Sequence, residues 1–247
     1  MIETEGSANK MGKQIKNEVE YYYDSHPTLE DLMGETSFHA SLSRYLMQVL
    51  EWLYRGQTCA IYENLNFYQT QNPREYPLAP DIALIKGAEA RHLRSWKIGK
   101  TGPAPQVVFE IASEETWKKD VEEKPLKYAL MGVEEYYFYD PDESATPGWK
   151  HSPQRLMGWH YQKPRGAITE MTPDAQGRLW SPHLESFLVP EGELLRLYDR
   201  NGHLRLTQAE TETRRAENEA EARRAEAKRA KVLAEKLRSL GIDPDHL

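Results

Sequence analysis

The stretch Gln106-Val107-Val108-Phe109-Glu110-Ile111-Ala112 limits the fold more than any other part of the chain. An almost wholly apolar run of this length suits a strand at the centre of a sheet covered on both faces. Its one charged residue, Glu110, stands among Val107, Val108, Phe109 and Ile111. A carboxylate there is costly to desolvate unless it is paired or bound to a metal. A second acid-bearing run, Asp81 to Lys86, follows directly on Pro80, which fixes the chain's entry.

The neighbouring segments supply the cover. Phe38, Leu42, Tyr45, Leu46, Val49, Leu50 and Leu53 fall at helical spacing, so a helix is predicted over Glu35 to Tyr54, its apolar stripe laid on the sheet. Thr58 to Tyr62 reads as a strand that Asn64 to Tyr68 continues in extended form, and Gly87 to Gly99 is ambiguous. A helix lies within Thr116 to Met131 with Gly132 as its C-cap, followed by a strand over Glu135 to Tyr139. From Gln154 to Leu206 short β-type runs alternate with turns: Arg155 to Tyr161, Ala167 to Met171, Arg178 to Trp180, Leu194 to Tyr198 and His203 to Leu206. Asp199-Arg200-Asn201-Gly202 predicts a type I′ hairpin. The expected architecture is α/β: a central mixed sheet flanked by helices, with a β-meander packed on it.

Beyond Leu206 the texture changes. Thr207 to Leu240 holds no Gly or Pro and is dominated by Ala, Glu, Arg and Lys, which predicts a long charged C-terminal helix. Residues 209, 213, 216, 220, 223, 227, 230, 234 and 237 repeat with 4,3 spacing, but they are mostly Ala and include Arg223. A solvated single helix and a coiled-coil dimer both fit. Three segments are expected: a disordered polar tail over residues 1–15, a domain over 16–206, and the helical extension over 207–247. The chain carries a net charge of −7, and the segment from Thr207 onward is neutral, with nine acids and nine bases, so the domain carries all of it. Such a domain has no global basic footprint for nucleic acid, and any contact must use a local patch. Cys59 is the one cysteine, which excludes an internal disulfide or a Cys-based zinc site. The absence of an apolar leader or a membrane-length run makes the cytoplasm the expected compartment.

If the two acid-bearing strands are neighbours, Asp81 and Glu110 can share a cation at one sheet end. Oxygen ligands of this kind suit Mg²⁺ or Mn²⁺, and a nearby lysine would stabilise charge on a phosphodiester under attack. On spacing alone, a buried ion pair at Glu110 and a strand cap at Asp81 fit as well.

The ordered set Pro80-Asp81, Val108-Phe109-Glu110-Ile111-Ala112-Ser113, Asp120, Lys124, Tyr128, Gly132-Val133-Glu134-Glu135-Tyr136 and Asp140-Pro141 resembles the Uma-type restriction endonucleases of the PD-(D/E)XK nuclease superfamily, over about residues 20 to 200. The resemblance implies a Mg²⁺- or Mn²⁺-dependent endonuclease acting on DNA. Asp81 and Glu110 would be catalytic metal ligands, joined by the backbone carbonyl of Ile111. The superfamily's usual lysine would fall at Ala112, where this chain has none. The family's lysine has moved to the following helix, and Lys124 matches it. Asp120 and Tyr128 would share that helix face at i, i+4, i+8. Pro125 fits best in a first turn, so the regular helix would start near Glu123, leaving Asp120 off it and making Lys127 the substitute for Lys124. The resemblance also places His39 at a position the family often fills with His. With Glu35 one turn before it, the pair reads either as ligand and base or as a helix-end acid beside a surface His. Arg91, Arg94, Lys97 and Lys100, with Trp96 among them, form the basic-aromatic cluster, either a nucleic-acid grip or a solvated loop. The competing function is an inactive nuclease-fold protein that binds partners through its C-terminal helix. Homodimerisation is compatible with either.

Overall fold

The alternation of side chains along Val107–Ile111 feeds two separate cores, and the fold is built on that division. In the computed structural model, which describes residues 37–69, 76–113, 116–141, 155–161, 167–241 and 243, the elements in chain order are α1 (Ser37–Leu53), β1 (Cys59–Glu63), β2 (Asn66–Tyr68), β3 (Ile82–Lys86), β4 (Ser95–Lys97), β5 (Val107–Ile111), α2 (Trp117–Glu122), α3 (Lys124–Met131), β6 (Glu135–Tyr139), β7 (Leu156–Tyr161), β8 (Ile168–Glu170), β9 (Leu179–Ser181), β10 (Ser186–Glu191), β11 (Leu194–Tyr198) and α4 (Gln208–Ser239). A six-stranded sheet runs β1-β3-β5-β6-β7-β8. Only the β5–β6 pair is parallel, crossed over by α2 and α3, and the other neighbours are antiparallel.

Val107, Phe109 and Ile111 point to one face, where Leu42, Leu46, Val49 and Leu50 of α1 and Leu188, Leu195 and Leu197 of the β10–β11 hairpin close the core. Val108 points to the other, against Ala83 and Ile85 of β3, Tyr136 and Phe138 of β6, and Tyr128 and Met131 of α3. All five residues of β5 are buried, as its composition requires. The α/β expectation with a mixed sheet, flanking helices and a C-terminal helix is therefore met.

Of the runs expected as a meander, β7 and β8 join the central sheet instead, while β9, β10 and β11 form a sheet of their own, ordered β11-β10-β9, which a buried acid fastens. Glu135 is fully buried and accepts from Ser181 Oγ at 2.5 Å, Tyr137 Oη at 3.0 Å and the His183 amide at 3.0 Å. Three donors offset the desolvation of that carboxylate.

Several expectations are corrected. The β1 extension breaks at Asn64, which takes φ 49°, and β2 instead pairs in parallel with β4 as a separate ribbon. Pro125 does divide the segment 116–131 at Glu123, sitting without an amide in the first turn of α3, but Asp120 lies on a helix of its own, α2. The 199–202 turn is not type I′. Gly202 alone has positive φ there, and the Asp199 side chain accepts from the Asn201 and His203 amides at 2.8 Å each. His203 to Leu206 makes one isolated bridge, Tyr198 to Leu204, rather than a strand. The predicted N-terminal tail and Glu35 lie outside the described residues.

Candidate active site

Asp81 and Glu110 meet because β3 and β5 are antiparallel neighbours. The register sets Ile82 across from Phe109, and one step further sets Asp81 across from Glu110, with both side chains on the α3 face. Both are buried. Asp81 Oδ2 accepts from the Ile111 amide at 2.6 Å, closing the end of β5. His39, from the first turns of α1, reaches over the same sheet end. Its Nε2 lies 3.0 Å from the Ile111 carbonyl and 3.4 Å from Asp81 Oδ2. A carbonyl only accepts, so Nε2 carries the proton. His39 is therefore buried in the site rather than lying on the surface.

The α2–α3 junction supplies the cation. Lys124 Nζ lies 2.8 Å from Glu110 Oε1 and 2.7 Å from Asp120 Oδ1, so one ammonium serves two carboxylates despite the helix break. Tyr128 Oη donates to the same Glu110 oxygen. Asp120 is itself held. Thr116 Oγ1 donates to its Oδ2 at 2.8 Å, and Tyr136 Oη donates to its backbone carbonyl at 2.7 Å. Sequence reasoning missed Thr116 and Tyr136; the i, i+4 spacing of Thr116 to Asp120 was the available signal. Lys127 pairs with Glu123 at 2.8 Å on the exposed side, so it is no substitute for Lys124.

Burial lifts Glu110 to about 8. Lys124 opposes the rise, while the Asp81 and Asp120 charges add to it. Asp120 is raised for the same first reason, with Lys124 and Thr116 opposing. Burial pulls Lys124 down, but Glu110 and Asp120 outweigh it and hold the ammonium charged. Among the described residues no three His, Cys, Asp or Glu side chains converge as a ready-made metal cluster. The oxygens available to a cation at this sheet end are two carboxylates and the Ile111 carbonyl. These are hard oxygens that fit Mg²⁺ or Mn²⁺ in type, and they now face the Lys124 ammonium and the His39 N–H.

The basic segment lies apart on β4 and its flanking loops. Arg94, Lys97 and Lys100 line an open groove of about 630 Å³ together with His92 and Ser95, and Arg91 lies in the same stretch of chain. Trp96 is fully buried, and its indole N–H donates to the Pro103 carbonyl at 2.9 Å. It cannot stack on a base, which corrects the aromatic half of that cluster.

A family described as putative restriction endonucleases, Uma2, matches residues 11–183, more than half of the chain. The chain belongs to the Uma2 family. The span matched in this Uma2 protein includes Asp81, Glu110, Asp120, Lys124 and Tyr128, and ends before β10, β11 and α4. A 1.96 Å crystal structure of a putative nuclease belonging to DUF820 from Anabaena variabilis ATCC 29413 is similar at TM-score 0.40 and 16% identity, covering 62% of this chain and 76% of that one. No curated protein matches. Among the described residues, no helix is long and apolar enough to cross a membrane.

Proposed function

We propose that this Uma2 protein is an endodeoxyribonuclease that hydrolyses phosphodiester bonds with Mg²⁺ or Mn²⁺ held by Asp81, Glu110 and the Ile111 carbonyl. The observation that carries the reading is the convergence of Glu110, Asp120 and Lys124, with the ammonium 2.8 and 2.7 Å from the two acids, beside Asp81 at one sheet end. A bound ion there would polarise the phosphate and lower the pKa of a coordinated water. Lys124 is kept protonated by its two carboxylates and would stabilise the extra negative charge on the phosphate under attack. Asp120 is a positioning residue, tied by Thr116 and Tyr136 so that its second oxygen holds Lys124. Tyr128 positions Glu110 in the same way. The His39 N–H and a divalent ion would compete for the Ile111 carbonyl. Arg91, Arg94, Lys97 and Lys100 would hold the DNA backbone through a local patch, as an acidic domain requires.

The test is nicking of supercoiled plasmid with Mg²⁺ or Mn²⁺. Glu110→Gln and Lys124→Ala are each expected to lower the rate by about 10²–10³, with folding at the assay temperature verified by circular dichroism. A second reading, an inactive nuclease-fold binding protein, is favoured by Ala112 in the usual lysine position and by Lys124 being shared between two acids. Retained DNA binding with no cleavage in either metal would select it.

A further inference from the structure

We infer that α4 is a dimerisation arm that pairs antiparallel with α4 of a second copy of this chain. The helix is 32 residues long, about 48 Å at 1.5 Å per residue, and none of its side chains is buried. Its base is rigid. Thr207 and Glu210 form a reciprocal capping box, and Glu210 also meets Arg196 at 2.9 Å. The rest projects with Val232, Leu233 and Leu240 more than half exposed.

Three features identify the occupant. First, charge is divided along the helix. Residues 208–222 hold five glutamates against two arginines, and residues 223–239 hold seven bases against two glutamates. A parallel pair would set like halves together, whereas an antiparallel pair sets the acidic half of each copy against the basic half of the other and also opposes the helix dipoles. Second, the apolar residues sit at the tip while the base carries an open groove of about 440 Å³, lined by Leu206, Ala209 and Thr213 together with Glu210, Arg214 and Glu217. Third, the 4,3 repeat runs two heptads to either side of Arg223. Antiparallel pairing about that residue sets Ala209 against Leu237 and Ala216 against Ala230, and brings Thr213 and Ala220 within one residue of Ala234 and Ala227. The tip leucines of one copy then enter the basal groove of the other. Beside the seam, Glu210 faces Arg238 and Glu217 faces Lys231. The two Arg223 side chains meet at the two-fold axis, flanked by Glu219 and Glu226 of both copies, so the residue that interrupts a parallel seam is neutralised. The pairing uses nothing from the sheet end and holds whether or not the protein cuts DNA.

Sedimentation of the full chain over a rising concentration series is expected to show the 28.6 kDa mass doubling. Leu237→Lys with Leu240→Lys should weaken association more than tenfold without loss of helical circular dichroism. Orientation is read by oxidative cross-linking in a Cys59→Ser background. Arg223→Cys should cross-link to itself, while Ala216→Cys and Ala230→Cys should each fail alone and cross-link when mixed. A monomer at every concentration overturns the proposal, as does self-cross-linking of Ala216→Cys or Ala230→Cys, the mark of a parallel pair.

Discussion

Replacing Lys124 by methionine keeps the length of the side chain and removes the one ammonium shared by Glu110 and Asp120, 2.8 and 2.7 Å away. Both acids are buried, so the variant holds two carboxyls with no cationic partner at that junction. Breaking a buried pair from one side costs about 3–5 kcal/mol. At about 2–4 °C per kcal/mol for a chain of this size, that is a fall in Tm of roughly 6–20 °C. The pH dependence identifies the cause. Glu110 and Asp120 already lie above their ordinary pKa values through burial, and losing Lys124 raises them further. In the pH range between unfolded and folded pKa the native state then binds more protons than the unfolded state, so stability falls as pH rises. Each acid contributes about 1.4 kcal/mol per pH unit in that window. Glu110 lies near 8 even with Lys124 beside it, so its share of the variant's penalty is small at pH 6 and grows as pH rises through 8 toward 10. Thermal melts of wild type and Lys124→Met across this range measure it. Equal destabilisation at both ends, or none at either, would refute the assignment of Lys124 as the charge partner of these acids.

Further predictions concern the site and its surroundings. Mn²⁺ binding should release most of a proton from Glu110 at pH 7 and much less at pH 9, given a carboxyl near 8; calorimetry in buffers of different ionisation enthalpy reads the number, and no release at pH 7 contradicts it. Gly102→Ala brings a Cβ within 2.3 Å of the buried Trp96 ring, so the indole must shift. A loss of about 1–3 kcal/mol in urea denaturation is expected, and unchanged stability would contradict that packing. Arg94→Glu with Lys97→Glu should weaken DNA binding and flatten its salt dependence while leaving Mn²⁺ affinity unchanged; an unaltered salt slope would remove the groove from the DNA path.

The fold was legible where sequence periodicity coincided with burial. The apolar run at Val107–Ile111 could only be a covered strand, and the stripe from Leu42 to Leu53 could only pack on it. Asp81 and Glu110 were legible because an acid in a buried strand needs a reason. Other features depend on partners far away in sequence. Nothing local to Glu135 shows that its donors include Ser181 and the His183 amide, 46 and 48 residues on. Trp96 looked available for stacking because its neighbours are basic, yet the loop folds its indole inward to Pro103. Pro125 signalled the break between α2 and α3, but not that the break leaves Asp120 and Lys124 in contact, which depends on the junction geometry at Glu123. The turn at Asp199 misled because Asn201-Gly202 reads as a type I′ pair, whereas the Asp199 carboxylate captures the two amides first.

The proposed divalent-metal site joins Asp81, Glu110 and the Ile111 carbonyl. Anomalous diffraction from crystals grown with Mn²⁺ tests it without recourse to activity. A peak bonded to all three groups at about 2.0–2.3 Å is expected, lost in Glu110→Gln. A Mn²⁺ peak elsewhere in an otherwise native structure, with Lys124 still closing Glu110, would contradict it.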